Sequence, residues 1–130
     1  MIIVDASVVV DLLVKPPVEV ASIKARLADE PIGHVPHLLD VEVLHALRRL
    51  LLAGRLNDIS ARRALRNFAL MGLKRWPHRA LLGRALALRH QLTAYDAIYV
   101  AMAEVTGATL VTRDARLAQA NGHRARIEVV

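Results

Sequence analysis

The sequence contains no cysteine, which excludes disulfide bonds, thiolate zinc sites and cysteine nucleophiles. Aromatic residues are also scarce, since the 130 residues include one Trp, two Tyr and one Phe. Stacking of nucleic-acid bases on rows of aromatic side chains is therefore not expected to dominate any recognition by this chain.

Long apolar runs are absent as well, although 55% of the residues are hydrophobic. No run approaches the roughly 18–20 residues that a membrane span needs. The N-terminus lacks the basic segment that precedes the apolar stretch of a signal peptide. We therefore expect a cytoplasmic protein without a membrane segment, built as one domain over residues 1–130 around a single core.

Basic residues outnumber acidic ones by 18 to 12, which gives a net charge of +6. Arginine supplies 15 of the 18, and its planar guanidinium is well suited to contact phosphate. This balance favours a polyanionic partner such as nucleic acid, although many of these charges will simply be solvated.

Short segments rich in β-branched residues alternate with segments of helical periodicity, which predicts a parallel sheet covered on both faces. The predicted strands are Ile2–Val4, Ile32–Val35, Leu73–Trp76, Thr109–Thr112 and Ile127–Val130. The predicted helices are Val8–Val14 starting at Ser7, Val18–Ala28 stopping before Pro31, Leu38–Ala53, Asp58–Met71, Ala80–Arg89, Ala94–Thr106 and Ala115–Ala120. The fold class is α/β, a three-layer α/β/α sandwich with a central parallel sheet of four to five strands.

Four acidic residues adjoin apolar runs: Asp5 and Asp114 follow the two clearest strands, while Glu42 and Asp96 open helical stretches. A buried carboxylate must be paired or bound to a metal, and the carboxyl ends of parallel strands share one edge of a sheet. The four acids therefore suggest one shared site for a hard divalent cation. Taken singly, three of them can be helix-capping residues, but Glu42 lies about one turn inside its helix and has no such explanation.

The segments around these acids, taken together, resemble the four motifs of PIN-domain nucleases. They are Ile3–Val8 (IVDASV), Glu42–Arg49 (EVLHALRR), Leu92–Glu104 (LTAYDAIYVAMAE) and Leu110–Leu117 (LVTRDARL). Their order and spacing, together with the short chain, resemble those of the VapC toxins of bacterial toxin–antitoxin pairs. The resemblance runs from Ile2 to the last strand.

This resemblance implies an endoribonuclease that depends on Mg²⁺ (Mn²⁺ is the other candidate) and hydrolyses RNA phosphodiester bonds. The family's metal-binding acids match Asp5, Glu42, Asp96 and Asp114, and its hydroxyl positions match Ser7 and Thr112. We expect Asp5, Asp96 and Asp114 to hold the more tightly bound ion and Glu42 to orient or deprotonate the attacking water. The resemblance also implies a VapB-like antitoxin as partner, a homodimer, and a heterotetramer or larger complex with the antitoxin.

Four further residues attract attention near these acids. Arg113 and Arg116 flank Asp114 and are the best candidates for contacts with the RNA backbone. His45 stands where many relatives carry Asn; contact with the site or the substrate is one role open to it, and a partly buried structural role is the one expected. Asp11 is expected to be solvated.

Other functions fit the sequence less well. A haloacid-dehalogenase-type phosphotransferase normally has a second Asp two positions after the first, where this chain has Ser7. A receiver domain needs a late lysine, and none follows Lys74. The main alternative is a catalytically weak PIN-like module that binds RNA or protein.

Overall fold

The computed structural model describes residues 1–30 and 32–130 and contains five strands, seven α-helices and two short 3₁₀ helices within those ranges. The strands are β1 Ile2–Val4, β2 Gly33–Pro36, β3 Leu73–Trp76, β4 Thr109–Thr112 and β5 Arg126–Val129. The α-helices are α1 Ala6–Val14, α2 Ala21–Leu27, α3 Leu38–Leu52, α4 Asp58–Leu70, α5 Leu82–Ala87, α6 Ala94–Thr106 and α7 Ala115–Gln119. The 3₁₀ helices, Pro17–Val20 and Arg79–Leu81, precede α2 and α5. The helix predicted over Val18–Ala28 is divided between the first 3₁₀ helix and α2, which ends at Leu27, and Pro31 lies outside the described residues.

All five strands are parallel and lie in the order β3-β2-β1-β4-β5. The predicted α/β class and central parallel sheet are confirmed. The chain first adds strands on one side of β1 and then returns to its other side, so the strand order reverses between β1 and β4. In open parallel sheets, ligand sites form at the carboxyl ends of the strands where the order reverses. Asp5 and Arg113 are the first residues after those two strands.

The helices form two groups. Helices α1, α3 and α4 pack on one another, whereas α5 packs on α6, which lies across β1, β2 and β4. Right-handed crossovers place these two groups on opposite faces of the sheet and so produce three layers. The central strand β1 is fully apolar, and its residues Ile2, Ile3 and Val4 are all buried. Residues Ala97–Ala103 of α6 are also buried throughout, so this helix and β1 form the middle of the core.

Helix α3 shows how the sequence determines a boundary. Its buried stripe consists of Leu39, Val43 and Leu47, four residues apart, as a core-facing helix requires. After the last turn, Gly54 adopts φ +68°, and the backbone N–H of Arg55 donates to the carbonyl of Leu50 at 2.9 Å. This arrangement satisfies the last carbonyls of the helix and stops it.

At the start of α1, the sequence offers both Asp5 and Ser7 as capping residues. The capping residue is Asp5 rather than Ser7, because the Asp5 carboxylate accepts the backbone N–H of Val8. Ser7 lies in the first turn and donates its hydroxyl to Asp5. A carboxylate directly after a strand reaches the free N–H groups of the next helix more readily than a hydroxyl two residues later.

Among the helices in the described ranges, none is both long enough and apolar enough to cross a membrane.

Candidate active site

Asp5 lies at the carboxyl end of β1 and is tied to β4 through both its backbone and its side chain. Its N–H donates to the carbonyl of Val111 at 3.3 Å, which extends the pairing of the two strands by one residue. Its Oδ1 accepts hydrogen bonds from Ser7 Oγ at 2.5 Å and from the N–H of Val8 at 3.1 Å, and its Oδ2 accepts one from Thr112 Oγ1. The two predicted hydroxyl positions therefore both contact Asp5.

The same hydroxyls also fix the loop that follows β4. Ser7 Oγ accepts the backbone N–H of Arg113 at 2.9 Å, and Thr112 Oγ1 accepts the backbone N–H of Asp114 at 2.9 Å. Each hydroxyl thus donates to a carboxylate and accepts from the backbone, so this buried polar network has no unmatched hydroxyl. A fully satisfied network of this kind holds its members in one geometry.

Asp5 is 8% exposed, and this burial raises the pKa of its carboxyl. The hydrogen bonds from Ser7, Thr112 and Val8 favour the charged form and oppose this rise, while the negative charge of Asp96 adds to it. The protein therefore holds a desolvated carboxylate with donors placed around it and a second acid nearby.

Glu42 reaches the same region from α3, on the other side of β1. Its Oε2 accepts the hydroxyl of Tyr99 on α6 at 2.5 Å. Burial raises the pKa of Glu42, the hydrogen bond from Tyr99 opposes that rise, and the charges of Asp96 and Asp5 reinforce it. Burial and the charge of Glu42 in turn raise the pKa of Tyr99, which keeps the phenol protonated as a donor.

Tyr99 was not among the residues predicted from the sequence. One signal pointed to it, since it lies three residues after Asp96 and therefore on the same face of α6. Its partner Glu42 is 57 residues away in the sequence, so the pairing itself depends on how α3 and α6 pack.

Asp96 links this cluster to the loop after β4. Thr93 caps α6 by accepting the N–H of Asp96, and its hydroxyl donates to Asp96 Oδ2 at 2.9 Å. Asp96 raises the pKa of both Asp5 and Glu42, which shows that the three carboxylates lie within electrostatic reach of one another. Asp96 also lines a groove together with Asp114.

Asp114 is oriented by an arginine rather than by the other acids. It caps α7, and its two oxygens accept hydrogen bonds from Arg116, with Oδ1 receiving the backbone N–H at 2.9 Å and Oδ2 receiving Nη2 at 3.1 Å. The hydrogen bonds from Arg116 hold the pKa of Asp114 below its usual range. The fourth acid is therefore near the cluster but is already neutralised by a neighbour.

The two flanking arginines have different environments. Arg116 is 90% exposed, and its guanidinium donates hydrogen bonds to the carboxylate of Asp114. Arg113 is instead held by Asp11 Oδ2 at 3.0 Å and by the carbonyl of Val130 at 2.6 Å. The expectation that Asp11 is solvated was wrong, because it is largely buried and pairs with both Lys15 and Arg113.

The expectation for His45 was also wrong. The side chain is exposed and lies with Glu42 in the wall of one cavity. Residues one turn apart on a helix share a face, and the face of α3 that carries Glu42 and His45 is not the face buried in the core.

The donor chemistry of the cluster suits Mg²⁺ or Mn²⁺, which prefer oxygen ligands and accept water for the remaining positions. The charge of Asp96 raises the pKa of both Asp5 and Glu42, and the charge of Asp5 also raises that of Glu42, as expected where a cation would relieve repulsion. Within residues 1–30 and 32–130, however, no three His, Asp or Glu side chains are arranged closely enough to hold a metal ion as they stand. The residues present thus fit a hard cation in their chemistry, although they are not arranged as a three-ligand site.

Comparison with known proteins gives a consistent result over the whole chain. The family model described as PIN domain matches residues 2–122. Ribonuclease VapC12 of Mycobacterium tuberculosis is 39% identical over 130 residues, which cover 100% of this chain and 99% of that protein. Ribonuclease VapC1 of the same organism is 41% identical over 129 residues, covering 98% of this chain and 96% of that protein.

Solved structures show the same fold. PAE2754 from Pyrobaculum aerophilum superimposes with a TM-score of 0.68 at 27% identity, covering 98% of this chain and 82% of the other. VapBC2 from Rickettsia felis, bound to a DNA fragment from its promoter, superimposes with a TM-score of 0.71 at 17% identity, covering 99% and 98%.

The parallel sheet, the acids at its carboxyl edge and the match to both the family model and its relatives lead to one assignment: the chain belongs to the PIN-domain family and, within it, to the VapC ribonucleases.

Proposed function

We propose that this protein is a metal-dependent endoribonuclease, the toxin of a type II toxin–antitoxin pair, and that it hydrolyses RNA phosphodiester bonds at the carboxylate cluster. The observation that carries this proposal is the grouping of Asp5, Glu42 and Asp96 at the carboxyl edge of the sheet, where the charge of Asp96 acts on both of the other carboxylates. The VapC relatives are named as ribonucleases, which supports the reaction class.

Asp5 and Asp96 are the proposed principal metal ligands. Asp114 would become a third ligand once its carboxylate rotates away from Arg116. A divalent cation bound there would neutralise charge on the phosphate and lower the pKa of water. Ser7 and Thr112 would keep Asp5 in place through the hydrogen bonds that they already donate to it. Mg²⁺ is the proposed ion, with Mn²⁺ as the other candidate.

Glu42 is the proposed general base or orienting group for the attacking water. Burial and the neighbouring charges raise the pKa of the Glu42 carboxyl towards pH 7. A general base is most effective when its pKa lies near the pH at which the enzyme works. Tyr99 occupies Oε2, so the other carboxylate oxygen is the one available to a water molecule.

For RNA binding, the net charge of +6 supplies a general attraction to the phosphate backbone. Arg116 is the proposed phosphate contact because it is exposed beside the acids. Arg113, also expected from the sequence to contact RNA, would act mainly by holding the loop after β4, since its guanidinium is engaged by Asp11 and Val130.

An antitoxin is the proposed protein partner. The structures similar in fold include one described as VapBC2 and one described as a toxin–antitoxin complex from Klebsiella pneumoniae. A homodimer, and a heterotetramer or larger complex with the antitoxin, remain predictions.

The test is cleavage of structured RNA by the purified chain with Mg²⁺, with Mn²⁺ and with EDTA. We expect EDTA to abolish cleavage, and Asp5→Asn or Asp96→Asn to reduce it by about 10²-fold or more while the fold is retained. Asp58→Asn, an exposed acid at the start of α4, is the matched control and should cleave normally. Wild-type cleavage by either site variant would refute the assignment.

A second function is favoured by the absence of three converged ligands among the described residues. In that case the chain would be a catalytically weak PIN-like module that binds RNA or protein. Binding of RNA without any EDTA-sensitive cleavage would identify it.

A further inference from the structure

A cavity of about 420 Å³ opens directly beside the carboxylate cluster. Its walls come from the start of α1, from one face of α3 and from the start of α6, and its lining residues are Ala6, Val41, Glu42, His45, Ala46, Arg49 and Tyr95. Glu42 belongs to both the cavity and the cluster, while Ala6 and Tyr95 are the chain neighbours of Asp5 and Asp96. The cavity therefore adjoins the carboxylate cluster and shares Glu42 with it.

The cavity wall on α3 is a face of the helix other than the one that packs in the core. Its residues recur at helical spacing, and the core-facing stripe of Leu39, Val43 and Leu47 lies elsewhere on the helix. Within the described residues, no side-chain hydrogen bond or ion pair engages His45, Arg49 or Tyr95. The polar groups of these three side chains are thus available to a ligand.

Tyr95 has an unusual exposure for an aromatic residue in this chain. Of the four aromatic side chains, all of which are described, Phe68 and Tyr99 are buried and Trp76 is half-buried. Tyr95 is 60% exposed and lies at the cavity. A flat aromatic ring presented to solvent beside a cation-bearing wall is the arrangement that binds a nucleic-acid base by stacking.

We propose that this cavity binds the base of the ribonucleotide next to the scissile phosphate and so sets the sequence at which RNA is cut. The inference rests on the proposed nuclease function and identifies the substrate contact of that same site. The ring of Tyr95 would stack on the base, and Arg49 would donate hydrogen bonds to its acceptor edge or to the adjacent phosphate. His45 can either donate or accept and would select among bases.

RNA is favoured over a protein side chain as the occupant for two reasons. A phosphate at the acids places its flanking base within this adjoining space, because the cavity shares Glu42 with the cluster. The cavity also combines an arginine and an imidazole with apolar walls, which suits a polar aromatic base attached to an anionic backbone.

The test measures binding of short oligoribonucleotides in the cleavage-deficient Asp5→Asn background and cleavage in the otherwise wild-type chain. Tyr95→Ala should weaken binding about tenfold or more, raise KM to a similar extent and change kcat little, because stacking acts in the bound ground state as well. Tyr95→Trp keeps a stacking ring and should restore binding. Val105→Ala, an exposed apolar residue near the far end of α6, is the control for nonspecific loss of surface.

An abasic ribonucleotide moved stepwise along the RNA locates the contact. We expect one position, next to the cut, at which loss of the base weakens binding to the Asp5→Asn protein but has no further effect once Tyr95 is alanine. On RNA of mixed sequence, His45→Ala should broaden the set of bases found beside the cut. Thermal unfolding of each variant shows whether the fold is kept, and Tyr95→Leu, which keeps an apolar side chain but lacks the ring, replaces the alanine variant if that one unfolds.

The outcomes separate this inference from the proposed function. RNA cleavage with no effect of Tyr95→Ala on KM or on the cut sequence overturns the cavity assignment alone. RNA binding with the expected abasic coupling, but without cleavage in the wild-type chain, overturns the nuclease assignment and supports the cavity. If Tyr95→Ala weakens binding of a protein partner but not of RNA, the cavity is a protein site and the inference is wrong.

Discussion

The hydroxyl of Tyr99 donates to Glu42 Oε2 at 2.5 Å and so joins α6 to α3 across the carboxyl edge of the sheet. This contact holds the one acid of the cluster that has no capping role. It also favours the ionised form of Glu42 against burial and against the charges of Asp96 and Asp5, all of which favour the protonated form. Tyr99 is thus a positioning residue for the proposed general base.

Replacement of Tyr99 by Phe should shift the pH dependence of cleavage. Loss of the hydrogen bond removes the contribution that lowers the pKa of Glu42, so this pKa rises further above its ordinary value of 4.5. A base with a higher pKa stays protonated to higher pH, and the acid limb of the kcat/KM profile should therefore move upward.

The control for this shift is Tyr95→Phe, which removes the hydroxyl of the other tyrosine. Among the described residues, it is Tyr99 and not Tyr95 that donates to Glu42. Its acid limb should coincide with that of the wild type. If the limb of Tyr99→Phe also stays in place, Glu42 is not the group whose ionisation limits the reaction.

The pKa of Asp5 leads to a prediction about stability. Because burial raises this pKa in the folded chain, the folded state binds more protons than the unfolded state between the ordinary value of 3.8 and the raised value. The stability of the wild type therefore falls as pH rises through that window. Asp5→Asn lacks the buried charge, so at pH 7 without metal it should unfold at a temperature equal to or above that of the wild type.

The advantage of Asp5→Asn should shrink as the pH is lowered through the raised pKa towards 3.8, since wild-type Asp5 is then neutral too. Thermal unfolding followed by circular dichroism at several pH values, with EDTA present, measures it. A variant that is less stable than the wild type at pH 7 and equal to it at acid pH would show that the hydrogen bonds to the Asp5 carboxylate outweigh its desolvation.

Much of this architecture is determined by local sequence, and several elements were predicted with their observed bounds. Strand Ile2–Val4 is a short β-branched run, and helix Ala94–Thr106 is delimited by Thr93 at its start and by Gly107 at φ +68°. Strand Thr109–Thr112 follows directly and was likewise predicted. Such boundaries are set by residues close in the chain, so they can be derived without knowing the packing.

The contacts that orient the site were not predictable in the same way. The pairing of Asp11 with Arg113 spans 102 residues, and that of Glu42 with Tyr99 spans 57. Both depend on the relative placement of packed elements, which periodicity does not specify. The pairing of Asp114 with Arg116 is local, but competing roles for a carboxylate at a helix start, as cap, ion pair or metal ligand, leave its orientation open until the structure is known.

The two arginines that flank Asp114 should respond differently to substitution. Arg113→Ala loses the ion pair with Asp11 and the hydrogen bond to the carbonyl of Val130, and should destabilise the fold by about 1–2 kcal/mol. Arg116→Ala removes a side chain that is 90% exposed and should leave the unfolding temperature nearly unchanged. Urea unfolding of the two variants measures this difference.

The salt dependence of RNA binding should also distinguish Arg113 from Arg116. In this measurement, Arg116→Ala should have the larger effect. If Arg116 contacts one phosphate, Arg116→Ala should reduce the slope of log K against log salt by about 0.7–0.9. Arg113→Ala should leave that slope closer to the wild-type value, because its guanidinium is already engaged. Equal slopes for the wild type and Arg116→Ala would remove Arg116 from the RNA interface.

Metal binding should stabilise the folded chain, independently of any RNA. An ion that binds the folded state alone adds about 1.4 kcal/mol at ten times its dissociation constant, so Mn²⁺ or Mg²⁺ should raise the unfolding temperature by several degrees. The rise should be smaller in Asp5→Asn and Asp96→Asn, which each lack a proposed ligand. It should also diminish as pH falls, because protons compete for the same carboxylates, and Asp5 and Glu42 already have raised pKa values.

Removal of Arg116 frees the oxygens of Asp114, so Arg116→Ala should bind the ion at least as tightly as the wild type. Titration of each protein with Mn²⁺ by differential scanning fluorimetry, with EDTA reversal and with Asp58→Asn as control, compares these shifts. An equal rise in all variants would place the ion elsewhere on the protein, away from the carboxylate cluster.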